Sequence, residues 1–170
     1  MIDLDNYGAE SDKEPDAAEV LKAKRYAARF LSSRMYTANE IVERLRRKGY
    51  TEAAAEEAVL QLTIEGAIDD LLYAEFYITD AVNIGYKGMY RIRQELMRKG
   101  VAASVIDRAA AKAEVDCIAA LSEFVEQRLE RTVIETRRDY EKFRTMLARR
   151  GYSLGEIREV LSGYEFDFKE

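Results

Sequence analysis

The sequence repeats itself at an interval of 51 residues, and this period constrains the fold more than any other feature. Gly49, Gly100 and Gly151 are each 51 residues apart, and each follows two basic residues. The same offset aligns apolar residues in sets of three: Ile41, Ile92 and Phe143; Leu45, Leu96 and Leu147; Ala55, Ile106 and Ile157. Internal repetition at such a period is typical of an array of small helical units.

Each repeat is predicted to hold three helices, because apolar residues recur at helical spacing and Pro occurs only once. The first helices are expected at about 17–34, 70–83 and 117–134, the middle ones at 38–48, 89–99 and 140–150, and the third at 52–64, 103–114 and 154–164. The predicted fold is an all-α, elongated and curved tandem array of three three-helix repeats, 17–67, 68–118 and 119–170, after a disordered acidic tail, 1–16.

Capping residues support these limits. Thr37 with Glu40, and Ser153 with Glu156, are expected to form capping boxes, in which a hydroxyl and a carboxylate each accept a free backbone N–H. Asp69 is the predicted N-cap of the helix that starts the second repeat. The three recurring glycines are expected at helix C-termini with φ > 0, a conformation that costs glycine little.

Composition narrows the function. The net charge is −5, but residues 1–16 alone carry six acids and one base, so the rest of the chain is neutral and can still bear local basic clusters. With one cysteine, no intramolecular disulfide can form, and no apolar run reaches the length of a membrane span. We therefore expect a cytoplasmic protein with no membrane partner.

The sequence lacks the side chains that the common enzyme mechanisms require. The sequence has no histidine, which removes the usual general base and the commonest metal ligand. Cys117 has no partner base and is interpreted as a small buried hydrophobe. The pair Asp69–Asp70 could hold a metal, but an Asp before a helix is more often a cap. We expect a binding protein without catalytic residues, metal or cofactor.

Three segments, in order, resemble the RecX family of recombination regulators: EIVERLRRKGY, EGAIDDLLYAEFYITDAV and GMYRIRQELMRKGV. The last matches the family pattern at seven positions: Gly88, Arg91, Ile92, Glu95, Leu96, Lys99 and Gly100. The resemblance covers about residues 18–165. Leu72 departs from it, standing where members commonly have an arginine. The resemblance implies tandem three-helix repeats and a protein that binds the RecA filament on DNA and inhibits its ATPase and strand exchange.

The predicted partner- or DNA-binding residues cluster at the basic doublets and beside a glycine-bearing loop. They are Arg46, Arg47, Lys48, Tyr86, Lys87, Arg91, Arg93, Arg98, Lys99, Arg149 and Arg150, with Arg137 and Arg138 as further candidates. Tyr86 is expected to be exposed. The predicted structural motif residues are Gly49, Asp69, Asp70, Gly88, Gly100 and Gly151.

Two other interpretations of the basic residues remain open. One is that basic residues at a helix C-terminus interact favourably with the helix dipole and stabilise the helix end. The other is an ordinary surface ion pair, because Glu43 lies four residues before Arg47. The functional alternatives are a module that binds single- or double-stranded DNA directly, or a general helical-repeat adaptor. We expect a monomer, with weak direct DNA binding at most, and the sequence does not distinguish capping of filament ends from binding along the groove.

Overall fold

The computed structural model describes residues 14–168, which contain nine α-helices and no strand. The helices are α1 (Ala17–Leu31), α2 (Ala38–Lys48), α3 (Glu52–Ile64), α4 (Asp70–Asn83), α5 (Met89–Arg98), α6 (Ala103–Lys112), α7 (Cys117–Leu129), α8 (Arg137–Arg149) and α9 (Leu154–Leu161). They form three successive groups of three, so the predicted all-α helical-repeat fold is confirmed. None of these helices combines the length and apolarity needed to cross a membrane.

The predicted acidic tail lies mostly outside the described residues. At its end, Asp16 is the N-cap of α1, and its carboxylate accepts a hydrogen bond from the Ala18 N–H at 3.0 Å. Asp16 therefore belongs to the first helix and not to the tail. The cause is the free N–H groups of the first turn, which a neighbouring Asp satisfies.

The first compact unit ends at Asp70 and contains α1, α2 and α3 packed on one another. Its core includes Val20 and Ala27 from α1, Leu45 from α2, and Val59 from α3. The small residues on α1 and α3 allow these two helices to approach closely.

The second compact unit runs from Leu71 to the end of the chain and contains the second and third repeats, each with its own core. Ile92 and Leu96 of α5 are fully buried in one core, and Leu147 of α8 and Ile157 of α9 in the other. The residues that recur at the 51-residue offset are thus the core residues, which explains why the period is visible in the sequence.

Most predicted helix limits agree with the structure, and the differences lie at the ends. The first and third helices of the repeats end two to five residues early where they differ, as at Leu129 and Leu161. Helix α8 begins three residues before its predicted start because Thr136 is its N-cap and accepts a hydrogen bond from the Asp139 N–H. Both capping boxes, at Thr37 and Ser153, are present as predicted.

The recurring glycines have the predicted left-handed backbone. The φ angles of Gly49, Gly100 and Gly151 are 100°, 83° and 96°. An L-residue with a Cβ is strained at such angles, so glycine at the end of each middle helix is a local requirement.

Asp70 is the last residue of the first unit and the first residue of α4, and its side chain contacts the start of α2. Its carboxylate accepts a hydrogen bond from the Ala38 N–H at the start of α2, at 2.8 Å. Burial raises the pKa of Asp70, the Ala38 N–H opposes this, and the neighbouring Asp69 and Glu40 raise it further, so the pKa lies above its usual value. Asp70 therefore caps a distant helix, while the N-cap role of Asp69 stays a prediction.

Candidate functional site

The two bases before each repeated glycine have different surroundings. The first of each pair, Arg47, Arg98 or Arg149, is exposed on its helix. The second lies over an aromatic ring of the first helix of its own repeat: Lys48 is 5.6 Å from the Tyr26 ring centre, Lys99 is 5.7 Å from Tyr73, and Arg150 is 4.0 Å from Phe124. Cation–π attraction of this kind stabilises the repeat.

This division explains why two bases recur in every copy. The second base lies over a ring of its own repeat, although Lys48 is itself exposed, whereas the first base is exposed and lies over no ring. Arg47 and Arg149 form no ion pair within residues 14–168, and Arg98 donates only to the Gln94 carbonyl of its own helix, at 3.3 Å. The exposed arginine is therefore the member of each pair that is available to a partner.

In the first unit, further bases are held by their neighbours. Arg46 contacts the carboxylates of Glu43 at 3.3 Å and Glu52 at 3.5 Å. Glu43 therefore pairs with Arg46 and not with Arg47, because residues three apart are as close on a helix as residues four apart.

In the second unit, a polar network surrounds Glu95. Its carboxylate accepts hydrogen bonds from Tyr77 at 2.7 Å, Lys87 at 2.8 Å and Arg91 at 2.9 Å. Burial alone would raise the pKa of Glu95, but these three donors lower it to about 2. Burial and the bond to Glu95 also raise the pKa of Tyr77 to about 12. Glu95 is ionised at neutral pH and fixes the positions of Lys87 and Arg91.

Tyr86 is not the exposed side chain that the sequence suggested. It is half-buried, with a φ of 47°, and its ring packs on Phe124 of α7 with ring centres 5.6 Å apart. Its hydroxyl donates to Glu123 at 2.6 Å and accepts from Gln127 at 3.1 Å. Tyr86, in the loop between α4 and α5, therefore joins the second repeat to the third.

Other residues singled out in the sequence make contacts within their own part of the fold. Arg93 forms an ion pair with Asp107 of α6. Cys117 is half-buried at the start of α7, and burial raises the pKa of its thiol, which fits the interpretation of an unreactive side chain. Among residues 14–168, no three His, Cys, Asp or Glu side chains are grouped so as to hold a metal ion.

Three of the predicted binding residues and the further candidate Arg138 come together in one basic cleft of the second unit. The cleft has a volume of about 630 Å³ and lies where α5 meets the third repeat. Its basic lining residues are Arg91, Arg128, Arg138, Lys142, Arg149 and Arg150. Arg128 and Lys142 were missed by the sequence analysis. Arg128 could have been noticed in the sequence, because it stands at the repeat position that Tyr26 and Tyr77 occupy in the first two repeats.

The cleft is strongly positive. Its one lining carboxylate, Glu141, contacts Arg144 at 3.1 Å. Burial lowers the pKa of Arg150, and the nearby charges of Arg128 and Arg91 lower it further. The guanidinium groups therefore repel one another, and an anion in the cleft would relieve this repulsion.

Comparison with known proteins identifies the family. Residues 23–62 match the family description "RecX, first three-helix domain", and residues 69–109 match "RecX, second three-helix domain". The regulatory protein RecX of Halorhodospira halophila is 32% identical over 153 residues, covering 89% of this chain and 94% of the relative. The chain belongs to the RecX family of regulatory proteins.

Other RecX proteins are similar to the same extent. That of Vibrio campbellii is 34% identical over 145 residues, covering 85% of this chain and 93% of the relative. That of Geobacillus thermodenitrificans is 34% identical over 145 residues, and there the chain spans 54% of the relative's length.

Two crystal structures of RecX proteins have a similar fold. One, of a regulatory protein RecX, superposes with a TM-score of 0.70 at 27% identity, covering 86% of this chain and 72% of the other. The second, RecX from Lactobacillus salivarius, has a TM-score of 0.71 at 24% identity, covering 87% and 97%. The second likeness shows the fold alone.

Most residues that match the RecX pattern in and next to α5 make contacts that stabilise the fold. Ile92 and Leu96 are buried, Arg91 and Glu95 are bonded to each other, and Lys99 covers aromatic rings. The family pattern in this segment therefore describes a well-packed helix, and the exposed Arg98 lies outside the matching positions.

Proposed function

We propose that this RecX family member binds the RecA recombinase filament on DNA and inhibits its ATPase and strand-exchange activity. Its family supports a regulatory role, and the resemblance found in the sequence supplies the partner. In this proposal the chain acts in the cytoplasm as a monomer of three repeats, without catalysis, cofactor or metal.

One observation carries the proposal. An exposed arginine occurs at the same repeat position three times, as Arg47, Arg98 and Arg149, while its basic neighbour packs on its own repeat. A filament presents the same surface at regular intervals, and a chain with a repeated cation is suited to such a partner.

The test reverses the three exposed charges together, in the variant Arg47→Glu with Arg98→Glu and Arg149→Glu. The matched control reverses one exposed arginine in each repeat elsewhere: Arg29→Glu, Arg108→Glu and Arg158→Glu. The readout is inhibition of DNA-dependent ATP hydrolysis by the recombinase. The first variant should need at least about tenfold more protein for half-inhibition, because charged contacts to a partner are lost at three sites.

The control variant should inhibit within about threefold of the original protein, since it has the same net charge as the test variant and differs only in position. Circular dichroism melts check that both variants are folded. Inhibition by the folded test variant at the original concentration would show that these arginines do not contact the filament.

A further inference from the structure

The basic cleft of the second unit contains more cationic side chains than nearby carboxylates neutralise. Within the described chain, Arg128, Arg138, Arg149 and Arg150 form no ion pair with a carboxylate. Lys142 is shared with Asp139 at 3.1 Å, and Arg91 with Glu95 at 2.9 Å. Arg128 and Arg91 repel the guanidinium of Arg150, and an anion bound among these groups would relieve that repulsion.

Three arginines of the cleft are held in place by neighbouring side chains. Arg150 rests on the Phe124 ring at 4.0 Å, and Arg128 lies 5.6 Å from the same ring. Arg91 is held by Glu95. Guanidinium groups held in this way lose less freedom when they bind an anion, and their planar forks suit the oxygens of a phosphate.

The lining favours phosphate over an acidic protein segment. Peptide recognition uses apolar pockets for side chains beside its charged contacts, and here Met146 is the one apolar side chain among the lining residues. The other lining groups are cations, the paired Glu141 and the hydroxyl of Thr145, which are the groups that contact a phosphodiester backbone.

We propose that the cleft between α5 and the third repeat is a binding site for the phosphate backbone of a nucleic acid. No aromatic side chain lines it, and Phe124 is 6% exposed beneath the two arginines. The nucleobases therefore have no aromatic ring on which to stack, and the site binds phosphates independently of the nucleotide sequence.

This inference goes beyond the proposed function, because it assigns a direct contact between this chain and nucleic acid in the absence of a recombinase. The two ideas can fail separately. The ATPase assay contains the recombinase filament, and the experiment below contains only the full chain and an oligonucleotide.

The experiment measures fluorescence anisotropy of a short labelled oligonucleotide, single-stranded or duplex, over a series of salt concentrations. The neutral variant Arg128→Gln with Arg138→Gln should lower the slope of log affinity against log salt by about 2, because each phosphate contact contributes about 1. The reversed variant Arg128→Glu with Arg138→Glu should bind at least about tenfold more weakly at low salt.

The matched control, Arg131→Glu with Arg158→Glu, changes the net charge of the third repeat equally at positions that do not line the cleft. Its affinity should stay within about threefold of the original. Equal losses in the reversed cleft variant and the control would overturn the proposal, as would no salt-dependent binding by the original chain. If the reversed variant unfolds at a lower temperature than the original chain, the test depends on the neutral variant and its slope of log affinity against log salt. An unchanged slope for that variant would overturn the proposal.

Competition identifies the ligand. Unlabelled oligonucleotides of unrelated sequence should displace the probe equally, and polyglutamate of the same total charge should not. Displacement by polyglutamate at the same charge concentration would assign the cleft to acidic protein segments and reject the proposal. Displacement by inorganic pyrophosphate at the same phosphate concentration would reject it too, in favour of a site for free phosphates.

Discussion

At the scale of single residues, adjacent bases on a helix can have unrelated roles, because successive residues point about 100° apart. Lys48 follows the buried Leu45 by three residues and Ile41 by seven, so it lies on the packed side of α2. Arg47 follows Leu45 by two residues and points away. The same spacing holds at Lys99 and Arg150, which is why the second base meets a ring in every repeat.

This difference predicts unequal effects of alanine. Lys99→Ala should lower the free energy of unfolding by about 0.5–1 kcal/mol, because the lysine covers Tyr73 and Tyr77. Arg98→Ala, its matched control, should change that free energy by less than about 0.5 kcal/mol. Urea unfolding measures both. A larger loss for Arg98→Ala than for Lys99→Ala would mean that the assignment of the two bases is reversed.

The carboxylate of Glu95 makes stability depend on pH. Its pKa is about 2 in the folded protein against an ordinary value of 4.5, so the stability it confers is present above pH 4.5 and is lost as the pH falls through 2. Glu95→Gln should therefore destabilise the protein most near neutral pH, by about 1–2 kcal/mol, since Lys87 and Arg91 lose their shared anion.

The comparison of Glu95→Gln with the original chain in urea, at neutral pH and at successively lower pH, tests this sign. The difference in unfolding free energy should shrink as the pH falls below 4.5. A difference that grows on acidification would contradict the ionised Glu95 network.

At the scale of helices, the decisive contact joins the N-terminus of α5 to the C-terminus of α8. The Gly88 N–H donates to the Arg150 carbonyl at 2.9 Å, and the Tyr90 N–H donates to the Gly151 carbonyl at 3.2 Å. Helix ends leave N–H and C=O groups without partners, and here two ends satisfy each other. This explains why Gly88, the N-cap of α5, needs no side chain to cap the helix.

A Cβ at residue 88 would lie 2.2 Å from the backbone carbonyl carbon of Gly151, so backbone must move to admit it. Gly88→Ala should therefore lower the free energy of unfolding by about 2–3 kcal/mol. Gly155→Ala is the control, because its Cβ would meet only the Ser153 hydroxyl at 3.8 Å. That change should stabilise α9 by about 0.5 kcal/mol. Urea unfolding with equal midpoints for Gly88→Ala and the original chain would show that the two backbones are not in close contact.

At the scale of the whole molecule, three sequence repeats are packed into two compact units. The second and third repeats share one unit because the α5–α8 backbone bonds, and the packing of Tyr86 on Phe124, join them. The division of the chain into three domains at 67 and 118 stays a prediction.

Much of the fold was predictable from sequence because its signals are local and occur three times. The core positions, the left-handed glycines and both capping boxes depend on residues within one helix or one turn. The split between Arg47 and Lys48 was also accessible in principle, from their spacing to Leu45.

The sequence by itself therefore determined the helices, their ends to within a few residues, the buried face of each and the repeat that relates them. Only the tertiary structure decided that Tyr86 packs on α7, that Gly88 meets Gly151 and that Arg91 faces Arg128 across a cleft. These contacts join residues 37 to 63 positions apart in different repeats. A period describes what the repeats share, whereas such contacts depend on how two unlike repeats pack against each other.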